Sequence, residues 1–140
     1  MAYVRLAPSD PARWHVDPYR AAFPGKVMID DRSSFVRDAP SGAFAVDYSP
    51  GVTAKTALRR LDAIALATPR TIALAGRPDE GMITWVTRSA VFGFPDYTTA
   101  KAIDVAGGAS VSIYARQRFG VKDLGVNAAR LQDWLGQLRR

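Results

Sequence analysis

The stretch Tyr97-Thr98-Thr99-Ala100-Lys101-Ala102-Ile103-Asp104-Val105-Ala106-Gly107-Gly108-Ala109-Ser110-Val111-Ser112-Ile113-Tyr114-Ala115-Arg116 decides the fold. A glycine pair accepts the positive φ that tight hairpin turns demand, and the flanking segments are rich in β-branched and aromatic residues. The sequence therefore predicts two long antiparallel strands, Tyr97 to Val105 and Ala109 to Phe119, joined through Gly107-Gly108. Alternation along the second sends Val111, Ile113 and Ala115 to one face and Ser112, Tyr114, Arg116 and Arg118 to the other. The first face is expected to be core and the second wet.

Working outward, Phe92-Gly93-Phe94-Pro95-Asp96 breaks the chain before the hairpin, because proline fixes φ and aspartate accepts backbone N–H groups at a bend. Before it, Met82 to Val91 reads as a strand that pairs with a short one marked by Ile72 and Leu74, across the turn Gly76-Arg77-Pro78-Asp79-Glu80-Gly81. Thr53 is placed to cap a helix with Ala54, Ala57, Leu58, Leu61, Ile64 and Ala65 at helical spacing, ended by Pro69. Phe44, Val46 and Tyr48 alternate as a strand closed by Ser49-Pro50-Gly51. At the far end Leu124, Ala128, Leu131, Leu135 and Leu138 make a helical stripe behind Asp123, read as its N-cap.

These elements predict an α+β fold: a two-layer sandwich in which an antiparallel sheet of about five strands carries two helices on one face. Residues 1–42 hold five of the nine prolines together with Trp14, Tyr19, Phe23 and Phe35. They are expected to form a proline-rich extended arm packed over a single domain spanning 43–140.

With 140 residues and no cysteine, the chain is sized for one core, and disulfides and thiolate chemistry are excluded. Its net charge of +6 belongs to residues 51–140, since residues 1–50 balance six Lys/Arg against six Asp. That excess favours an anionic small molecule or a membrane surface as partner. Nucleic acid ranks third and is not expected, because no recognition motif accompanies the charge. No phosphate-cradling loop appears and Asp96 has no clustered acid or histidine, so neither cofactor nor metal is expected. His15, the only histidine, lacks a nucleophile with a motif of its own.

Phe92, Gly93, Phe94, Pro95 and Asp96, with Asp123, Leu124, Gly125, Asn127 and Arg130 after the hairpin, resemble the motif of the domain of unknown function family 1499, a bacterial family. The resemblance runs over about residues 43 to 138 and implies a domain without implying a reaction. Phe92, Phe94, Pro95, Asp96, Asp123, Leu124, Gly125 and Asn127 are read as structural parts of that motif. Asp96, Tyr97, Lys101, Tyr114, Arg116, Arg118 and Arg130 are the candidate binding residues, the middle five as a cationic and aromatic stripe on the wet face. The functional expectation is a non-catalytic ligand-binding or interaction module, with a hydrolase using Asp96 and arginines on an anionic substrate as the alternative. The Met1–Leu6 start ahead of a proline-rich stretch carries one more expectation, an envelope-associated protein with an upstream membrane anchor.

Overall fold

The prolines at positions 11 and 18 start helices instead of preventing them. Each follows an aspartate, and a proline at the first helical position gives up an N–H that would have had no partner there. In the computed structural model, which describes residues 8–25, 33–119 and 125–140, the Asp10 carboxylate caps α1 (Pro11–Trp14) and the Asp17 carboxylate caps α2 (Pro18–Ala22). Over residues 8–25 the arm is thus built on two short helical turns instead of an extended segment.

Six antiparallel strands follow: β1 (Phe35–Ala39), β2 (Gly42–Pro50), β3 (Thr71–Arg77), β4 (Met82–Arg88), β5 (Pro95–Val105) and β6 (Gly108–Gln117). Two longer helices, α3 (Ala54–Ala67) and α4 (Val126–Leu138), complete the chain, and the sheet order is β1-β2-β6-β5-β4-β3. One strand more than expected is present because Phe35–Ala39, read from sequence as arm, pairs with β2. The hairpin turn itself is Ala106-Gly107, with Gly107 at φ 82° and Gly108 already paired to Val105.

One face of the sheet is apolar. Ala43, Ala45, Ile83, Trp85, Ala100, Val111 and Ile113 form a continuous buried cluster with Leu58 and Leu61 of α3 and Leu131, Trp134 and Leu135 of α4. Its centre is filled by the edge-on Trp85–Trp134 pair, with centroids 5.6 Å apart. Both indoles are satisfied: Trp85 Nε1 donates to Asp62 of α3 at 2.9 Å and Trp134 Nε1 to Thr68 at 3.0 Å. Thr53 caps α3 through the Thr56 N–H. The N-cap of α4 is Gly125 in the left-handed region, not Asp123. Asp123 and Leu124 lie outside the described residues.

The other face corrects the expectation of a wet surface. Tyr97, Thr99, Tyr114 and Arg116 are buried there, Arg116 to 4% exposure. The cover is the arm. Ala22 joins Phe44, Val46 and Tyr114 in one cluster, and Trp14 joins Val86 and Tyr97 in another. The sheet is therefore sandwiched between long helices on one side and a partial layer of α1 and α2 on the other, and the two-layer expectation gains a third, incomplete layer.

Candidate functional site

The seven candidate binding residues fall on opposite sides of the sheet. Period-2 alternation along β5 puts Asp96, Thr98 and Ala100 toward the helices and Tyr97, Thr99 and Lys101 toward the arm. Asp96 and Arg130 meet on the helix side, where Arg130 Nη2 stands 3.4 Å from Asp96 Oδ2 and both side chains are mostly buried. Arg130 Nη1 also donates to Asn127 Oδ1 at 2.6 Å. This trio joins the start of β5 to the first turns of α4 and so fastens together the two halves of the sequence motif. Asn127 Nδ2 and Thr98 Oγ1, on the same side of the sheet, are buried without a hydrogen-bond partner among the described residues.

Tyr97, Lys101, Tyr114, Arg116 and Arg118 share the opposite face, as alternation requires, but all five bind protein. Arg116 Nη2 donates to the Trp14 carbonyl at 2.6 Å and Nη1 to Thr99 Oγ1 at 2.9 Å. Arg118 Nη1 donates to the Pro8 carbonyl at 2.7 Å, and Lys101 Nζ pairs with Asp17 at 2.9 Å. The Tyr97 hydroxyl bonds Ser9 Oγ at 2.7 Å, and the Tyr114 hydroxyl donates to the Pro40 carbonyl. Burial pulls the Arg116 guanidinium down to about 10, opposed by Tyr114 and Tyr97, and pushes the Tyr114 phenol up. Arg116 remains charged at neutral pH. The expectation that Arg116 and Arg118 are free for an external anion is corrected: this stripe is the seat of the arm.

Sequence reasoning missed a cleft of about 450 Å³ at the other end of the sheet, lined by Arg70, Ile72, Val86, Arg88, Ser89, Ala90 and Gly93. Its floor is apolar, and Ile72 on the edge strand is 64% exposed. Backbone carbonyls fix both guanidiniums: Arg70 Nε donates to the Arg88 carbonyl at 3.0 Å and Arg88 Nη1 to the Gly93 carbonyl at 2.9 Å. Neither arginine has a carboxylate partner among the described residues. Arg70 is also one of two non-glycine residues at positive φ among the described residues, at 58°, a conformation that only a closely determined neighbourhood holds. The Phe92-Gly93-Phe94 corner reaches the lining through Gly93 alone. Its two rings stack at 5.3 Å, and the Phe94 N–H donates to Ser89 Oγ.

A second cleft, of about 350 Å³, lies where β2 meets the end of α4. There the buried Asp47 carboxylate accepts from Arg139 Nη2 at 2.7 Å and from Ser34 Oγ at 3.1 Å. That pairing explains the site as a clamp on the C-terminal helix. No group of three metal-ligating side chains occurs among the described residues, and no described helix is long and apolar enough to cross a membrane.

Fold and site define a small α+β domain with one helix-packed face and, at its open edge, two arginines without acidic partners among the described residues. The chain belongs to the family described as "Protein of unknown function (DUF1499)", whose model matches residues 28–138. A comparison with curated proteins found no match.

Proposed function

We propose that this protein is a non-catalytic ligand-binding module whose site is the Arg70–Arg88 cleft, and that its ligand is a small anion with an apolar tail. One observation carries the reading: two guanidiniums, held in place through carbonyls and without a carboxylate partner among the described residues, stand over an apolar floor of Ile72, Val86 and Ala90. Pre-positioned guanidinium forks suit phosphate and carboxylate heads, and their fixed geometry lowers the ordering cost of binding. The cleft volume lies in the range that encloses a small ligand. Through Gly93 in the lining, the corner at Phe92-Gly93-Phe94 takes a role at a binding site as well as at a bend. An envelope setting, where such amphiphiles concentrate, agrees with this ligand class.

Titration calorimetry with octyl phosphate tests the proposal. Binding to the wild type is expected to weaken at least tenfold in Arg70→Ala/Arg88→Ala, and neutral octanol is expected not to substitute. Equal affinity of wild type and double variant, or equal binding of octanol, would remove the cleft as an anion site.

A further inference from the structure

The stripe under the arm is assembled from residues distant in sequence, yet it engages one short segment the way a receptor engages a peptide. The Trp14 ring lies on Tyr97 with centroids 3.9 Å apart and planes 7° from parallel, and the Arg116 guanidinium sits 5.2 Å from the same indole. The carbonyl of Trp14 accepts from Arg116 and from Thr99 Oγ1, and three residues on the Asp17 carboxylate meets Lys101. Upstream, the Pro8 carbonyl takes Arg118. An aromatic slot, a carbonyl clamp and a cation are thereby set at fixed intervals along one track.

Two features mark the arm as an imperfect occupant. Trp14 Nε1 is buried with no hydrogen-bond partner among the described residues, and a buried donor left unpaired carries its full desolvation cost. Arg116, nearly as buried, is answered among the described residues by carbonyls, a hydroxyl and ring faces but by no carboxylate. An independent fact comes from the sequence comparison. The family match begins at residue 28, so the face lies within the family domain while α1 and α2, which cover it, lie outside.

We infer that this face is a docking site for a polypeptide segment of a partner protein carrying an aromatic residue followed three positions later by aspartate, with residues 8–25 as its intramolecular competitor. This inference is independent of the Arg70–Arg88 cleft. A tethered segment acts at a high effective concentration, so a partner gains access when the arm is weakened or its own segment fits better. Phenylalanine in the aromatic slot would avoid the unpaired indole N–H.

The test uses the full chain and a fluorescein-labelled synthetic peptide of residues 8–25, read by anisotropy. The variant Trp14→Ala/Asp17→Ala is expected to bind the peptide at least tenfold more tightly than wild type. A peptide carrying the same two changes is expected not to bind, and the peptide with Trp14→Phe to bind at least as well as the parent. Adding Lys101→Ala to the variant chain is expected to weaken capture. If the variant keeps its far-ultraviolet dichroism and binds no better than wild type, the inference fails. If it does not fold, the milder full-length Asp17→Asn chain takes its place, and absence of any gain over wild type at millimolar peptide likewise overturns the inference.

Discussion

The two faces of this sheet are both buried, but they are buried by different physics. On the helix side Ala45, Ile83, Trp85, Val111 and Ile113 meet Leu58, Leu61, Leu131 and Trp134 in one cluster, with two helices of 14 and 13 residues laid over it. Stabilisation there comes from apolar area and close packing, which fail only when a whole layer leaves. On the arm side Thr84, Thr99 and Arg116 meet helices of four and five residues and their caps through individual hydrogen bonds, beside the Trp14–Tyr97 stack and a small apolar cluster of Phe44, Val46 and Tyr114 with Tyr19, Ala22 and Phe23. Helices that short have no stability of their own. The comparison teaches that burial alone does not identify a core: the helix side defines the fold, whereas the arm side is a bound segment.

The largest effect is expected where the packing is continuous. Leu131→Ala, at a fully buried position of α4, should cost about 2–5 kcal/mol in denaturant melts. A loss under about 1 kcal/mol would erase the distinction between the faces. Trp14→Ala sharpens the comparison. In a true core a Trp truncation costs about 3–5 kcal/mol, but a segment that can detach caps the global loss at its own docking energy. The variant should therefore lose less than about 3 kcal/mol while its arm signals move to random-coil positions.

The smallest effect is on pH dependence. Burial against Thr84 holds the His15 imidazole below its ordinary 6.5, although Glu80 pulls it upward. Folding thus favours the neutral ring, and its contribution is present above pH 6.5 and lost as pH falls through the lower folded value. Asp17 behaves in the same direction at lower pH. Burial pushes it up, but the Lys101 hydrogen bond and the Arg20 N–H outweigh this and keep it below 3.8. Its share is present above pH 3.8 and lost as pH falls through the folded value. Acidification from pH 7 should loosen the arm in two stages, His15 first, read as the Trp14 indole resonance moving while those of Trp85 and Trp134 stay. Simultaneous movement of all three would show one cooperative unit.

Much of this architecture was legible because it is local. The β5–β6 hairpin follows from Gly107 and from alternation, and α3 follows from the Thr53 cap and the Leu58–Leu61 spacing. Asp10-Pro11 and Asp17-Pro18 each carry a helix-start signature, obscured by proline's reputation as a helix breaker. The wet-face reading failed because the cover of Tyr97 and Arg116 comes from Ser9 and Trp14, more than eighty residues away, a distance that strand periodicity does not address. The Arg70–Arg88 pairing was hidden by geometry. Extrapolated from the Arg77–Met82 pair, the register would set Arg70 against Ser89, but a bulge between Ala73 and Ala75 shifts it by one residue. As a result the Arg88 N–H donates to the Arg70 carbonyl. No residue type marks that bulge. Asp96 and Arg130, read as candidate binding residues, and Asn127, read as a structural part of the motif, meet in the fold, a contact that required the packing of α4 on the sheet.

The three tryptophans offer the most direct test, since Trp14 reports the arm and Trp85 and Trp134 report the helix-side core, and all three are buried. Native-state hydrogen exchange of the indole N–H groups, followed by NMR at several sub-denaturing urea concentrations, separates local release from global unfolding. The account predicts that Trp14 exchanges through an opening with a lower free energy and a smaller urea slope than Trp85 and Trp134, which share the global values. Exchange of all three indoles with one free energy and one slope would contradict it.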